Sequence, residues 1–373
     1  MQRILLLIDG LGDSPEFFRK CRTPNLDKLV SKHVLGYFKS SSMPQSDTAI
    51  LKLFGAKLNN RYTGRGPLEA LGAGVFKSNS TMLRANFATA SLTNSIWKAK
   101  IIDRRVGRSL KKEETKKLAA SVNKLGYGIF TPTLEHRGVF TIKGIHKIKD
   151  PDTAYLPYKK EVISKTNLKP VNMFLEQSYD VLNKHPINAQ RIKDNQLAAN
   201  CILLRGAGSH IPEINMKKWH ACIGAPLEKG IAKAAGMKII HYKYPKQGKN
   251  YLMRSLHTEI RTAQNALKKY PKLWIHIKPV DDAGHDKNKL LKKKMIELLD
   301  RTLVKKLLNV DVVLITGDHA TPVSKGVHTA DPVPVVVKNP SIQKKTGKLQ
   351  GFYAFRQSKI IFRQQNLVSF LGD

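Results

Sequence analysis

Apolar runs of strand length alternate along the chain with stretches of helical period. The runs Ile4–Ile8, Asn200–Arg205, Lys238–Tyr242, Leu273–Lys278, Asp311–Thr316 and Val333–Lys338 predict strands. Near Leu227–Ala235, Leu252–Lys269 and Leu290–Leu308 the apolar residues recur every three or four positions, which predicts helices. The strand runs are rich in β-branched residues and lack polar alternation, so both faces are expected to be buried. The fold class that follows is α/β, a mainly parallel sheet covered by helices on both faces. Thr23-Pro24 ahead of Leu26, Leu29 and Val30 predicts a helix start, with Thr as cap and Pro in the first turn.

Between residues 61 and 181 the texture changes. This stretch carries a Gly-rich segment (Gly64 to Gly74), a basic cluster around Arg104, and short strand-like pieces near Tyr127–Phe130 and Gly138–Ile142. It reads as a smaller α+β domain (61–181) inserted into a discontinuous core (1–60 and 182–373), with hinges expected near Asn60 and Leu182. Three consecutive domains would leave the first sixty residues with too few strands for a sheet. At about 150 residues per domain, 373 residues suit two or three domains.

Composition narrows the class. A hydrophobic content of 41% supports a packed core and excludes a disordered polycation. No apolar run approaches the roughly 18 residues of a membrane span, and Ile4–Ile8 meets Asp9-Gly10 at once, unlike a signal peptide. Cys21, Cys201 and Cys222 form no C-x-x-C pair and no even disulfide framework, so a reduced, cytoplasmic setting is expected. The formal charge is +37, from 65 Lys+Arg against 28 Asp+Glu. Its lysines fall in short clusters such as Lys111-Lys112, Lys116-Lys117 and Lys292-Lys293-Lys294, on stretches that read as solvated helices. With no aromatic–arginine stripe and no RNA-recognition or zinc-finger signature, a general lysine bias is favoured over a nucleic-acid partner. A positive field would also speed capture of a small, multiply anionic substrate.

Three predicted core strands end alike. Ile4–Ile8 runs into Asp9, Leu273–Lys278 into Asp281 with His285 four residues on, and Asp311–Thr316 into Asp318-His319, while His328 follows in Val327-His328-Thr329. The carboxyl ends of strands line the ligand crevice of an open α/β sheet, so these groups are expected to converge. Carboxylate oxygens mixed with imidazole nitrogens suit Mn²⁺, Zn²⁺ or Mg²⁺. Six such ligands exceed the needs of one catalytic ion and point to a two-metal site for in-line phosphoryl displacement. Taken singly, each Asp serves equally well as a helix cap, and Asp281/His285 as a solvated pair. Ser46, after Pro44 and before the apolar Ile50, Leu51 and Leu53, stands where a helix begins. It is a cap by default and an activated alcohol nucleophile beside a dication.

The motifs Ile8-Asp9-Gly10-Leu11-Gly12-Asp13, Thr23-Pro24-Asn25-Leu26-Asp27, Ser46-Asp47-Thr48-Ala49 and Tyr62-Thr63-Gly64-Arg65-Gly66-Pro67 belong together. They continue through Asn86-Phe87-Ala88-Thr89, Asp103-Arg104-Arg105-Val106-Gly107-Arg108 and Glu135-His136-Arg137-Gly138. Asp281-Asp282-Ala283-Gly284-His285-Asp286, Asp318-His319-Ala320-Thr321-Pro322 and His328-Thr329-Ala330-Asp331-Pro332 complete the series. In this order, from residue 1 to about 335, the set resembles the archaeal type of cofactor-independent phosphoglycerate mutase, of the alkaline phosphatase superfamily.

That resemblance implies an alkaline-phosphatase-like, metal-binding core with an inserted substrate domain, and interconversion of 2- and 3-phosphoglycerate without 2,3-bisphosphoglycerate. It implies that Ser46 is phosphorylated in the cycle. It further implies that Asp9, Ser46, Asp318 and His319 hold one metal, and Asp281, His285 and His328 the other. The family uses two divalent ions, commonly Mn²⁺ and sometimes Zn²⁺, Mg²⁺ or Co²⁺. Arg104, Arg105 and Arg108 lead the candidates for substrate contact, His136 and Arg137 follow, and Asp103 is the candidate proton carrier. Each of these could equally lie on an exposed basic face. The sequence departs from the family in a short Asp13–Thr23 segment, in Pro245–Asn250, which lacks the expected acidic residue, and in a basic segment after Lys338. None of these touches a ligand.

In the implied mechanism glycerate re-orients while Ser46 carries the phosphate, and closure of the inserted domain excludes water. The same site could instead serve a metal-dependent phosphomonoesterase or a homoserine-kinase-like phosphotransferase, although no Walker-type loop is present. A polyanion-binding protein on the retained fold would not need the full ligand set.

Overall fold

The structure is a computed structural model that describes residues 1–40, 44–59, 62–152, 161–246, 248–342 and 349–372. The strands, in chain order, are β1 (Arg3–Ile8), β2 (Val34–Phe38), β3 (Ser80–Ala90), β4 (Ile101–Asp103), β5 (Ile129–Pro132) and β6 (Arg137–Lys143). They continue with β7 (Cys201–Gly208), β8 (His220–Ile223), β9 (Lys238–His241), β10 (Lys272–Ile277), β11 (Val312–Thr316) and β12 (Val333–Lys338). The chain forms two compact units, one of residues 1–58, 212–224 and 232–373, the other of residues 59–211 and 225–231.

The first unit holds a seven-stranded sheet in the order β2-β12-β11-β1-β10-β8-β9. The run from β11 through β1, β10 and β8 to β9 is parallel, and β12 and β2 add antiparallel pairs at one edge. Leu5, Leu6 and Leu7 of β1 and Leu273, Trp274 and Ile275 of β10 are fully buried, which is why these strands read as unbroken apolar runs. The short β8 and the glycine-containing β2 carry too little apolar signal to stand out in the sequence. The segment after Lys338 belongs to this core: Phe352 and Phe355 pack edge-on against Phe18.

Helix Pro24–Val30 begins at Thr23-Pro24 as expected, but the Thr23 side chain makes no capping bond. Asp300 caps it instead, accepting the backbone N–H of Asn25 (3.1 Å) and of Leu26 (2.7 Å). Asp300 opens a π-helical turn, Asp300–Val304, that interrupts the helical stretch expected over Leu290–Leu308. Such turns arise where one extra residue is accommodated in a helix.

The second unit is a five-stranded sheet, β4-β3-β6-β5 with β7 on the other side of β3. Its antiparallel ladders pair β3 with both β6 and β7. Here the sequence reading needs correction. The strand expected over Asn200–Arg205 does not join the parallel sheet, and residues 182–211 lie in the second unit rather than in the core. Leu182 is no linker: it is fully buried inside helix Lys169–Asn183. The other expected hinge, Asn60, lies outside the described residues. Gly66 explains part of the Tyr62–Pro67 motif, because a Cβ there would lie 2.0 Å from the Met82 carbonyl oxygen.

Candidate metal centre and arginine cluster

In the first unit, the parallel register aligns the ends of β1, β10 and β11: Ile8 lies opposite Ile277, and Leu7 opposite Thr316. The residues that follow each strand are therefore brought to one edge of the sheet. Asp9, Asp318 and His319 form one group of converging donor atoms, and Asp281, His285 and His328 a second, with the donors of each set within 4.8 Å of one another. His319 Nε2 lies 3.3 Å from Asp9 Oδ1, 3.2 Å from Asp318 Oδ2 and 3.2 Å from Ser46 Oγ. Ser46 is the first residue of helix Ser46–Leu53, whose N-cap is Gln45, so its hydroxyl serves the cluster and not the helix end. Gly10 makes the convergence possible: it adopts φ +62, and a Cβ would stand 2.6 Å from Asp281 Oδ1.

The donor set fits divalent cations on its own chemistry. His285 Nδ1 lies 3.0 Å from the Gly326 carbonyl oxygen and His328 Nδ1 3.0 Å from that of Pro44. A carbonyl only accepts, so both Nδ1 atoms donate, and in the neutral rings both Nε2 atoms present lone pairs 3.1 Å apart. A cation resolves that repulsion. Asp9, Asp281 and Asp318 are buried, and Asp318 Oδ2 has no hydrogen-bond partner among the described residues. Burial and the Asp9 carboxylate beside it push the Asp318 carboxyl well up. Burial opposes ionisation of Asp281 too, but Lys278, His285 and His328 hold its carboxyl well below the usual range. Burial, with His328 alongside, drives His319 to the neutral form.

Two neighbours escaped the sequence reading. Lys278 places Nζ 2.5 Å from Asp9 Oδ2 and 3.3 Å from Asp281 Oδ2, bridging the two groups. His276 on β10 brings Nε2 to 3.6 Å from Asp9 Oδ2. Lys278 follows the apolar run of β10 as Asp9 follows that of β1, which was the available signal.

The second unit gathers charge of the opposite sign. His136 is buried and pushed down to about 2, first by burial and then by Arg137, Arg84, Arg105 and Arg108. Arg84 in turn is depressed by burial, Arg205 and Arg65. Arg104 donates to Asp152 Oδ1 at 2.6 Å, and Arg65 pairs with Glu69 at 2.8 Å. The expected residues Arg104, Arg105, Arg108, His136 and Arg137 thus share one electrostatic neighbourhood, and Arg65, Arg84 and Arg205 join it. Arg84 and Arg205 stand directly opposite one another on β3 and β7, an arrangement that costs stability for like charges. Arg84 Nε lies 3.8 Å from Glu69 Oε1 and makes no hydrogen bond among the described residues. Each is the lone charge in an apolar strand, a cue the sequence offered.

Asp103, expected to carry protons, has Oδ1 committed to the backbone: it accepts from Arg105 N (2.6 Å) and Gly107 N (3.1 Å). It thereby holds a turn in which Val106 (φ 51), Gly107 (φ 60) and Arg108 (φ 54) are all left-handed, strained for the two non-glycine residues.

A family description, 2,3-bisphosphoglycerate-independent phosphoglycerate mutase, matches residues 36–188. The chain is 36% identical to the Thermococcus kodakarensis protein of that name, over 90% of this chain and 87% of the other. It is 31% identical to an Archaeoglobus fulgidus protein of that name, over 100% and 98% of the two chains. Among solved structures, a Pyrococcus horikoshii protein superposes with a TM-score of 0.74 at 30% identity, covering 100% of this chain and 97% of that one. The cofactor-independent phosphoglycerate mutase of Thermoplasma acidophilum gives 0.57 at 26% identity, covering 100% and 99%. The chain belongs to the 2,3-bisphosphoglycerate-independent phosphoglycerate mutase family, isomerases that interconvert 2- and 3-phosphoglycerate.

Proposed function

We propose that the protein isomerises phosphoglycerate through phosphorylated Ser46, with Asp9, Ser46, Asp318 and His319 holding one divalent cation and Asp281, His285 and His328 the other. The cations would supply two things when bound: a lowered pKa for the Ser46 hydroxyl and neutralisation of the phosphoryl oxygens. Mn²⁺ is the ion proposed, on the mixed oxygen and nitrogen donors. The observation that carries this reading is the Ser46 hydroxyl, 3.2 Å from His319 among buried carboxylates.

The second unit's guanidinium groups would bind the anionic substrate. Arg suits this task because its planar fork grips carboxylate or phosphate with two bonds. Arg65, Arg84 and Arg205 join Arg104, Arg105, Arg108 and Arg137 in that role, and neutral His136 can both donate and accept. Asp103 acts on them indirectly, by fixing the turn that carries Arg105 and Arg108. Among the described residues no helix is long and apolar enough to cross a membrane. The three cysteines are free and buried, which supports a reduced, cytoplasmic setting.

An enolase-coupled assay on 3-phosphoglycerate, without added 2,3-bisphosphoglycerate, tests the proposal. Activity is expected to vanish with chelator, to return with Mn²⁺, and to fall by at least about 10³-fold in Ser46→Ala. Dependence on bisphosphate, or an active Ser46→Ala, rejects it. Steady release of inorganic phosphate with no isomer formed identifies a phosphomonoesterase instead.

A further inference from the structure

We propose that Lys292, which is no metal ligand, is a positioning residue for the metal centre, its ammonium clamping together the two loops that carry Asp9 and His319. The inference rests on the two-cation reading above.

Lys292 lies in helix Lys289–Leu299 and, contrary to the solvated position expected of its lysine cluster, is fully buried. An ammonium has three protons to donate, and all three are placed. Nζ donates to the Gly10 carbonyl (3.0 Å), to Asp13 Oδ2 (3.0 Å) and to the Thr321 carbonyl (2.8 Å). Each acceptor adjoins the ligand set. Gly10 follows Asp9, and its N–H donates to Asp318 Oδ1 at 3.2 Å. Thr321 stands two residues past His319, donates its hydroxyl to Asp281 Oδ1 at 2.7 Å, and has the same oxygen 3.2 Å from His319 Nδ1. Asp13 Oδ2 accepts a second bond from Val323 N at 3.1 Å, so the carboxylate spans the same two loops as the ammonium. A single buried charge thus touches the backbone beside Asp9, the backbone beyond His319, and, through Thr321, the second ligand group.

A buried ion pair is a poor way to gain stability alone, since apolar residues of equal volume often do better. Its retention behind a set of ligands is accounted for if it holds their spacing. Residues outside the coordination sphere that orient ligands typically cost 10–100-fold in metal affinity when changed.

The test is Mn²⁺ binding to the chelator-stripped full chain, read as free Mn²⁺ by EPR, for wild type, Lys292→Met and Asp13→Asn. Asp300→Asn is the control, because it removes an equally buried carboxylate that caps Asn25 and Leu26 instead of the ligand loops. Lys292→Met is expected to weaken Mn²⁺ binding by about 10–100-fold. Asp13→Asn should shift it in the same direction, and Asp300→Asn should lower thermal stability with affinity unchanged. If Lys292→Met does not fold, Asp13→Asn decides the question. Variants that fold and bind Mn²⁺ within twofold of a binding wild type overturn the inference alone. A wild type that binds no Mn²⁺ overturns the two-cation reading and this inference with it.

Discussion

The two units concentrate charge of opposite sign by opposite architectural means. In the first, the acids and imidazoles follow parallel strands and meet because the register of β1, β10 and β11 aligns the strand ends. In the second, guanidinium groups project from within antiparallel strands, and Arg84 faces Arg205 across the ladder. One arrangement leaves buried carboxylates and imidazoles that suit cations; the other gathers half-buried guanidinium groups, Arg84 and Arg205 pairing with Glu69 and Asp152 only at 3.8 Å, that suit an anion. Each is costly without its ligand, so stability and ligand binding are expected to be coupled separately in the two units.

Substitution at the arginines offers the largest effect that would break this comparison. Arg84→Met and Arg205→Met should each lower kcat/KM by about 10- to 100-fold, the worth of a hydrogen bond to a charged group, through KM more than kcat. Mn²⁺ affinity should not move. A matching loss of Mn²⁺ binding, read by EPR, would mean that the clusters are not separate in function.

The converse change is Asp318→Asn. It should abolish Mn²⁺ binding while stabilising the metal-free protein near neutral pH by about 1–3 kcal/mol, because it removes a buried carboxyl whose ionisation burial and Asp9 oppose. The sign follows from the raised carboxyl. Folded protein keeps that proton above the pH at which the unfolded chain has released it. Metal-free stability therefore falls as pH rises from about 4 toward the folded value, and the asparagine variant lacks that slope. Thermal unfolding of stripped protein between pH 4 and pH 8 checks both statements.

A further effect, on stability alone, concerns His136, held at about 2 by burial and then by Arg137, Arg84, Arg105 and Arg108. The unfolded chain takes up a proton below about pH 6.5 and the folded one does not until about 2, so acid destabilises the fold across that window. Moving from pH 7 to pH 5 should cost wild type about 2 kcal/mol more than His136→Gln, measured by urea unfolding.

The parallel sheet and its ligands were legible because buried strands give unbroken apolar runs that stop at polar residues. Asp9, Asp281 and Asp318 stand at such stops. Lys278 stands at one too, but a lysine after a strand looks like any solvated end. The strand Cys201–Gly208 was misplaced because an apolar run does not specify its partner, which is β3. Asp300, capping Asn25 from 275 residues further along the chain, is a tertiary contact with no local trace. Arg84 and Arg205 were overlooked for a different reason. Their significance lies in facing each other, and only the ladder shows that.

Counting bound Mn²⁺ in stripped and reconstituted protein, by elemental analysis, tests the central claim most directly. Two equivalents per chain are expected for wild type, and one for His285→Ala/His328→Ala, which dismantles the second ligand group and leaves Asp9, Asp318 and His319 in place. No metal in the wild type, or two equivalents in both proteins, would contradict the assignment of these side chains to a pair of cations beside Ser46.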